Sequence, residues 1–588
     1  MPSIKVNGKV CEFEKGEKII DVALRSGVEI PHYCYHPGLS VPAQCRICLA
    51  EIWAPNPRND NKLEPLMGGK LLPTCATECT DGMEVYADSP KSVANQKAVM
   101  EYLLISHPLD CPVCDKAGEC TLQDYSYRYG RGTSRFEEVK VKQAKKDLGP
   151  TIYVYADRCI MCTRCVRFAK EIPGTSELMI EGRGNICQID IFPGEPLDNP
   201  LAGNVVDLCP VGALVDKDFL FAQRVWFLKR TPSIDGITAS GDNIWIEHNQ
   251  GRIYRLKPRR NLAINRWWIS DEVRYGWKFV HSENRLTTPM RRQHGVLVES
   301  GWQKAIDQMI AGVSAAGSDM GKRVGLLVSP MLSCEDAYLL VQMARELDPQ
   351  AVIAMGPVPV DGQDQIFPPG TPPEDPKSFR ICAEKAPNAR GVKRVLDSFG
   401  GRVGFEEFVG QVASGQVGAA IVTGNYPSTW TTENVVRALD KAYLVVIDCL
   451  QSDLADKADI VLPAATFAEK AGTFENHAGV LQAFEQAIPV VGQSKPEAQI
   501  ALDVLAVLEG QGLVRPHAGY DDMIVDEGPG QVPAATASVA VPRARLYNAA
   551  DTRTHMAEAN AALGVFASEV KLPAQDEHVE TDMPLVEL

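Results

Sequence analysis

The chain has 588 residues and is acidic, with 60 lysines and arginines, 75 aspartates and glutamates, and a formal net charge of −15. This length predicts about four domains, and the negative charge argues against a nucleic-acid-binding protein, which needs a basic face. The N-terminal sequence does not resemble a signal peptide, and no run of about 18 apolar residues predicts a transmembrane helix. We therefore expect any attachment to a membrane to be made through partner subunits.

Residues 1–90 predict a small α/β domain. Asn7-Gly8 between two apolar runs predicts a hairpin, residues 18–26 predict a helix, and residues 28–30 predict a strand that ends before Pro31. This order of elements is typical of a β-grasp ferredoxin. Residues 51–72 are rich in proline, asparagine, glycine and lysine, and predict an inserted loop.

Residues 91–145 predict a helical segment, because the apolar residues over 95–105 have helical spacing. His107-Pro108 ends this helix. Residues 146–220 combine short strands, such as 151–155, with cysteine-bearing loops.

From about residue 278 short apolar strands alternate with amphipathic helices. The predicted strands are 323–328, 417–424, 443–448 and 459–462, and the predicted helices are 335–347 and 432–440. This alternation predicts a doubly wound, parallel α/β domain over residues 278–510. Residues 511–588 are rich in alanine, proline and acidic residues, and predict a peripheral or partly disordered tail.

Eleven of the 17 cysteines and one histidine form three separate sets within the first 210 residues. Many cysteines in a chain without a secretion signal indicate metal ligation rather than disulfides. The first set is Cys34, Cys45, Cys48 and Cys75; the second is His107, Cys111, Cys114 and Cys120; the third is Cys159, Cys162, Cys165 and Cys209.

The first set has the spacing C-x10-C-x2-C-x26-C. Three cysteines on one loop and a distant fourth indicate a [2Fe–2S] cluster, although the first gap is longer than in plant-type ferredoxins. A zinc site is the alternative, but it would normally use two paired cysteine elbows. The fourth ligand is either Cys75 or Cys79, and we favour Cys75, which precedes the turn at residues 80–83.

The second set has the spacing H-x3-C-x2-C-x5-C, for which a Cys3His zinc site is a real alternative. The neighbouring sets favour a [4Fe–4S] cluster. A lone histidine is usually a surface or capping residue, but His107 lies three residues before the cysteine run at a helix end. A neutral imidazole in place of a thiolate would change the net charge and the potential of the cluster.

The third set, C-x2-C-x2-C followed by Cys209-Pro210, is the pattern of bacterial ferredoxins and is too tight for an ordinary zinc site. The cysteines of a second ferredoxin cluster are replaced by Ala169, Asn199, Ala202 and Val205, so a single [4Fe–4S] cluster is predicted. The remaining cysteines are predicted to be small buried hydrophobic residues: Cys11, Cys79, Cys187, Cys334, Cys382 and Cys449.

The three sets in this order resemble the large iron–sulfur subunit of respiratory complex I, the NADH–quinone oxidoreductase. The resemblance rests on IPHYCYHPGLS (30–40), CRICLAEI (45–52), HPLDCPVCDKAGEC (107–120) and RCIMCTRCVRFAKEI (158–172), and extends to VLPAATFAEKAGTFEN (461–476). The run EKAGTFENHAGVLQ (469–482) is similar to molybdopterin-dependent oxidoreductases.

The resemblance implies a multi-domain α/β chain. Its parts are a β-grasp [2Fe–2S] ferredoxin domain (1–90), a helical His/Cys3 [4Fe–4S] segment (91–145), a bacterial-ferredoxin-like [4Fe–4S] domain (146–220), a degenerate 4Fe–4S Mo/W-type domain without a cluster (221–277), a molybdopterin-oxidoreductase-like doubly wound domain (278–510) and the tail (511–588). No cysteine lies between 209 and 334, and Ser270 stands where the last ligand of an additional cluster would be sought. We therefore expect no fourth cluster, and no molybdopterin because no cysteine fits a molybdenum-ligand motif.

The resemblance also implies the function. The chain would relay electrons from a flavin- and NADH-binding subunit through the first, third and second sets to a quinone-side iron–sulfur subunit. It would lie at the cytoplasmic face of the bacterial plasma membrane and be held there by its partners. No nucleotide-binding glycine motif is present, so neither flavin nor a substrate site is expected on this chain. The alternatives are a diaphorase-side subunit of an NAD-linked hydrogenase or formate dehydrogenase, and a zinc-stapled scaffold.

Overall fold

The computed structural model of the protein describes residues 1–318, 321–513 and 546–573. Residues 514–545 and 574–588 of the predicted tail lie outside the described residues. No helix in the described part of the chain is both long and apolar enough to cross a lipid bilayer.

Residues 1–90 form a mixed sheet with one helix packed on it. The elements are β1 (Ser3–Val6), β2 (Lys9–Glu12), α1 (Ile19–Arg25), β3 (Leu49–Asn56), β4 (Lys62–Pro65), β5 (Leu72–Pro73) and β6 (Glu84–Tyr86). The strand order is β2-β1-β6-β3-β4, with β5 beside β3. Asn7 and Gly8 have φ values of 48° and 83°, which a tight hairpin turn requires, so the predicted hairpin is confirmed. α1 packs Ile19, Ile20 and Val22 into the core of this sheet.

Two expectations for this region are wrong. The predicted inserted loop contains a strand, because Leu49–Asn56 pairs with both β6 and β4. Ala50 and Ile52 on this strand are buried, which is a period-two pattern that the prolines and asparagines around the hairpin end obscure. Residues 28–30 do not form a strand, and the backbone N–H of Val28 instead donates to Ala23 at the end of α1.

Residues 90–216 surround the second and third ligand sets. The elements are α2 (Pro90–Leu104), α3 (Thr121–Tyr129), β7 (Lys145–Asp147), β8 (Ile152–Tyr155), α4 (Arg164–Glu171), β9 (Leu178–Glu181), β10 (Gln188–Ile191), α5 (Asn204–Leu208) and β11 (Leu214–Asp216). The helix α2 begins where Ser89 caps it by accepting a hydrogen bond from Ser92 N. One apolar core joins α2, α3, α4, α5 and β8, so these elements pack as a single unit.

Residues 229–275 follow as a three-stranded antiparallel sheet and a short helix. The elements are β12 (Lys229–Ile234), β13 (Asn243–Asn249), β14 (Arg252–Pro258) and α6 (Asp271–Tyr275). Ser270 is buried and caps α6, because its Oγ accepts a hydrogen bond from Val273 N at 3.2 Å. Ser270 therefore has a helix-capping role at the position where an additional cluster ligand would be sought.

The following α/β part contains a seven-stranded sheet. The elements are β15 (Met290–Gln293), β16 (Val296–Glu299), α7 (Trp302–Ser318), β17 (Arg323–Val328), α8 (Cys334–Leu347), β18 (Val352–Met355), β19 (Gln365–Phe367), β20 (Phe379–Ile381), α9 (Ala389–Ser398), α10 (Phe405–Ala413), β21 (Val417–Thr423), α11 (Glu433–Leu439), β22 (Tyr443–Asp448), α12 (Asp453–Lys457), β23 (Ile460–Pro463), β24 (Gly472–Glu475), β25 (Leu481–Phe484) and α13 (Glu497–Leu508).

Five strands of this sheet are parallel, in the order β23-β22-β21-β17-β18, and β15 and β16 extend it antiparallel to β23. Helices cover both faces. Leu326 and Val328 of β17 join a core with α7, α8 and α13, whereas Leu327 joins a core with α10, α11 and α12. Burial on both faces explains why these strands are continuously apolar in sequence.

The described C-terminal residues are packed, which differs from the expectation of a peripheral tail. They form α14 (Ala549–Ala559) and α15 (Val565–Ser568). Met556, Leu563 and Phe566 are buried in the same core as α8, and Tyr338 on α8 makes a 3.1 Å hydrogen bond with His555. This segment therefore completes one face of the α/β domain.

Candidate functional site

The first ligand set is buried. Cys34, Cys48 and Cys75 are at most 2% exposed, and Cys45 is half-buried. The Sγ atoms of Cys48 and Cys75 are 3.5 Å apart. A hydrogen bond between the other two thiols raises the pKa of Cys34 and lowers the pKa of Cys45 to about 5. The structure thus brings all four residues together as two neighbouring thiol pairs.

Cys79, the alternative fourth ligand, lies beside α1 instead. Its backbone N–H donates to the Glu17 carbonyl oxygen at 2.9 Å. Burial raises the pKa of the Cys79 thiol to about 12, and the carboxylates of Glu17 and Asp21 raise it further. Its charged neighbours are therefore on α1, whereas Cys75 is in contact with Cys48.

The cysteine loops of the first and third sets contain left-handed residues. Arg46, between Cys45 and Cys48, has φ 61°, and Met161 and Thr163 in the third set have φ 51° and 62°. Residues with a Cβ rarely adopt this conformation, which costs on the order of 1–3 kcal/mol each. The left-handed residues curl the chain so that closely spaced cysteines can face one side.

The second set lies around the start of α3. Cys120 is the residue before α3, and backbone N–H groups of Leu122 and Gln123 point to its thiol. Burial nevertheless raises the pKa of Cys120 to about 12, and burial also raises the pKa of Cys114. Cys111 is exposed. The set thus extends from the surface into the core.

His107 follows the end of α2 and carries a buried Nδ1 atom with no hydrogen-bond partner among the described residues. Burial lowers the pKa of His107 to about 4, and the positive charges of Lys140 and Arg158 contribute. The imidazole is therefore neutral near pH 7, which is the form that binds metal. A buried ring nitrogen without a partner fits a ligand better than a capping residue.

The third set converges on one cavity. Cys159, Cys162, Cys165 and Cys209 all line it together with apolar side chains such as Val154 and Leu214. Burial raises the pKa of each of Cys159, Cys162 and Cys165, in the case of Cys162 to about 11. Met161 N donates to Cys159 Sγ at 3.3 Å, and such N–H···S bonds stabilise the thiolate that a metal needs.

The loops of the third set contact those of the other two. Thr121 N, next to Cys120, donates to the Pro210 carbonyl oxygen at 3.1 Å, and Lys116 Nζ reaches the Val206 carbonyl oxygen at 3.4 Å. Arg164, next to Cys165, donates to the Tyr35 carbonyl oxygen, next to Cys34, at 2.5 Å. The third set is therefore in contact with both the first and the second.

The donor sets fit iron–sulfur clusters. Within the described residues, no three histidine, cysteine, aspartate or glutamate side chains converge as tightly as a single metal ion requires. The thiolates of a cluster bind different irons and need not converge on one point, unlike those of a tetrahedral zinc site. Buried thiols, a neutral imidazole with an unpartnered nitrogen and an apolar cavity together suit such clusters.

The other six cysteines are only partly as predicted. Cys11, Cys79, Cys334, Cys382 and Cys449 are buried, as expected for small hydrophobic residues. Cys187 is half-exposed, contrary to the expectation that it is buried, because it lies in the turn between β9 and β10.

Sequence reasoning missed the residues that tie the loops together. Arg158 contacts Asp110 at 2.9 Å and the Gly212 carbonyl oxygen at 3.5 Å, and Arg164 and Arg167 contact the first loop. The available signal was the arginines beside or between ligands in RCIMCTRCVRF. Their partners, however, are carbonyl oxygens distant in sequence, which no local pattern specifies.

Five family models match the chain. They are a 2Fe-2S iron-sulfur cluster binding domain over 2–90, an NADH-ubiquinone oxidoreductase-G iron-sulfur binding region over 96–135, an NADH-quinone oxidoreductase subunit 3 ferredoxin-like domain over 149–215, an NADH-ubiquinone oxidoreductase NDSU1/NuoG-like 4Fe-4S domain over 228–278, and a molybdopterin oxidoreductase domain over 379–507. The chain thus carries a 2Fe–2S domain, 4Fe–4S domains and a molybdopterin oxidoreductase domain in the predicted order.

Curated relatives agree with these matches. The NuoG-type NADH-quinone oxidoreductase subunit of Rickettsia felis is 35% identical over 347 residues, which are 59% of this chain and 49% of the relative. The mitochondrial NADH-ubiquinone oxidoreductase 78 kDa subunit of Neurospora crassa is 38% identical over 346 residues, 58% of this chain and 44% of the relative. The chain spans about half the length of the curated relatives it matches.

Among solved structures, a chain of an NAD+-reducing [NiFe]-hydrogenase in the H2-reduced state aligns with a TM-score of 0.32 and 25% identity. The alignment covers 38% of this chain and 91% of that chain. The sequence relatives and the succession of iron–sulfur domains show that the chain belongs to the NuoG-type subunit family of NADH-quinone oxidoreductases, together with the mitochondrial 78 kDa subunits.

Proposed function

We propose that this chain is an electron-relay subunit of an NADH–quinone oxidoreductase, with one [2Fe–2S] and two [4Fe–4S] clusters. The observation that carries the proposal is that ligands of all three sets belong to one apolar core: Cys34, Cys162, Cys165 and Cys209 lie in it, and Cys45, Cys120 and Cys159 pack against it. Iron–sulfur clusters supply one-electron redox chemistry when bound. The side chains around them fix position, exclude water and set charge.

The ligands in this proposal are the three predicted sets. The [2Fe–2S] cluster is assigned to Cys34, Cys45, Cys48 and Cys75, and the [4Fe–4S] clusters to His107, Cys111, Cys114 and Cys120, and to Cys159, Cys162, Cys165 and Cys209. The contact between Cys48 and Cys75 supports Cys75 over Cys79, and the unpartnered Nδ1 atom supports His107.

The contacts between loops support the order first, third, second. The third set touches both others, so it is suited to the middle position of the relay. Cys111 of the second set is exposed, which suits the site that passes electrons to another protein. The first set, at the other end, would accept electrons from the flavin-bearing partner.

An exposed apolar patch supports a partner on the second set. We call Leu109, Val113, Phe221, Trp226 and Phe227 the apolar patch; each of these side chains is at least half exposed. The two segments of the patch are joined, because Arg224 donates to the Cys114 carbonyl oxygen at 2.9 Å and Phe221 N donates to Asp115 at 2.9 Å. Exposed apolar patches of this kind mark protein interfaces, and we assign this one to the quinone-side iron–sulfur subunit.

The remaining parts of the proposal concern the other domains. The sheet of residues 1–90 suits a β-grasp ferredoxin domain, and the segment over 229–275 lacks cysteines, which supports the absence of a fourth cluster. The α/β domain would serve as a scaffold without molybdopterin. We place the chain at the cytoplasmic face of the bacterial plasma membrane, held there by its partner subunits.

The test is a cofactor analysis followed by a reduction assay. We expect about ten irons per chain, with neither molybdenum nor stoichiometric zinc. NADH should bleach the clusters only when the flavin subunit is added, whereas dithionite should reduce them directly. A colourless zinc protein, or stoichiometric bleaching of the flavin-free chain by NADH, would contradict the proposal. Reduction by hydrogen or formate in the purified complex would favour a hydrogenase or formate dehydrogenase subunit instead.

A further inference from the structure

The loop that carries the first ligand set is fastened to the segment that carries the third. Gln44 Nε2 donates to the Met161 carbonyl oxygen at 2.9 Å and to Thr163 Oγ1 at 3.0 Å. On the other side of the loop, the Glu171 carboxylate accepts from Ser40 N at 2.8 Å and from Ser40 Oγ at 2.5 Å. Both contacts are made to residues of α4 or of the cysteine loop before it, so the first set cannot move independently of the third.

Two arginines of α4 lie between these contacts. Arg167 donates from its two terminal nitrogens to the carbonyl oxygens of Cys34 and Ser40. Arg164, which is 6% exposed, donates to the Tyr35 carbonyl oxygen at 2.5 Å and to the Leu208 carbonyl oxygen at 3.4 Å. The two guanidinium groups therefore contact residues at or next to Cys34 and Cys209, which are ligands of different sets.

The positive charges of these arginines act on both sets. A guanidinium group stays protonated in proteins. Burial lowers the pKa of Arg167, and the thiols of Cys162 and Cys34 oppose this shift, which places its charge near one ligand of each set. The carboxylate of Glu171 also acts on Arg167 and partly offsets its charge. Lys170 on the same helix is exposed, so solvent screens its charge.

We propose that Arg167, assisted by Arg164, is a positioning residue of the relay that fixes the first cluster against the third and raises the reduction potentials of both. This inference rests on the proposed function. Reduction adds a negative charge to a cluster, and a nearby fixed positive charge favours the reduced form. One charge between two clusters therefore shifts both potentials in the same direction and changes their difference little, which keeps the step between them nearly level.

The experiment is a redox titration of the full chain with its clusters, followed by electron paramagnetic resonance. In R167Q, the reduction equilibria of the first and third clusters should both fall about tenfold, which is 59 mV for a one-electron couple; the second cluster should change least. R167K keeps the charge and should retain most of both potentials. Lys170→Gln is the matched control, since it removes an exposed positive charge from the same helix and should change neither potential appreciably.

A second variant tests the same charge with the opposite sign. Glu171→Gln removes the negative charge beside Arg167 and should raise both potentials, and it serves if R167Q does not retain its clusters. Intact clusters whose potentials are unchanged in R167Q, or that shift equally in R167K and R167Q, would overturn the inference while leaving the relay in place. Absence of clusters from the unmodified chain would instead overturn the proposed function.

Discussion

Gly212 offers a sharp test of the second ligand set, because it approaches Cys114 without being a ligand. A Cβ atom added at Gly212 would lie 2.1 Å from Cys114 Sγ and 3.2 Å from Lys116 Cβ. Non-bonded heavy atoms prefer separations of about 3.5–4.0 Å, so the Cys114 thiol or the Gly212 backbone must move by roughly 1.5 Å in Gly212→Ala. The backbone is restrained on both sides, because Pro210 accepts a hydrogen bond from Thr121 N and Gly212 accepts one from Arg158.

We therefore expect Gly212→Ala to displace the thiol and to lose the second cluster, so that iron content falls from about ten to about six per chain. Iron and sulfide analysis with electron paramagnetic resonance would show the loss, while the signals of the first and third clusters persist. Gly132→Ala is the matched control, since a Cβ there meets nothing within 4 Å and should leave all irons in place. A Gly212→Ala protein with a full iron content and an unchanged spectrum would refute the reasoning.

The described contacts support three further predictions. His107→Ala should damage the second cluster and spare the other two, and an unchanged resonance spectrum would reduce the histidine to a helix-end residue. Reconstitution of the apoprotein with iron and sulfide should become more favourable as pH rises from about 6.5 to 8.5, because burial raises the pKa of thiols in the second and third sets and their protons must leave on binding; a reconstitution yield independent of pH would contradict this. Lys470→Met should destabilise the α/β domain by about 3–5 kcal/mol in denaturant unfolding, because Lys470 Nζ is buried at 2.8 Å from Asp336 and 2.5 Å from Glu497. The exposed Lys393→Met change should cost less than about 1 kcal/mol, and equal losses in the two variants would refute the role of burial.

The regular part of the α/β domain could be predicted from sequence. Residues 323–328 and 443–448 coincide with β17 and β22, because strands buried on both faces are short, wholly apolar runs. The strand Leu49–Asn56 was missed because its inward residues alternate with polar ones, and Pro55 and Asn56 resemble a loop. The C-terminal helices were missed because helical periodicity is weak over residues 549–568, and long-range packing rather than local pattern holds them.

The spacing of cysteines predicted which residues could act together, since short gaps limit where thiols can point. It could not show how one set lies relative to another. That arrangement depends on Arg158, Arg164 and Arg167, whose partners are backbone carbonyl oxygens more than 40 residues away. Any residue supplies such an oxygen, so the contacts leave no mark at the acceptor position in the sequence.

The packing of the C-terminal helices has a consequence for biosynthesis. Met556 and Phe566 complete the core on α8, yet Met556 is made about 350 residues after Cys209, roughly 20–70 seconds later at 5–20 residues per second. All three cysteine sets thus leave the ribosome while one apolar face of the α/β domain is still uncovered. Iron can be inserted during this interval, and a chain that stalls then would carry cofactors together with an aggregation-prone surface. Cells that make this protein therefore need chaperones that act before translation ends.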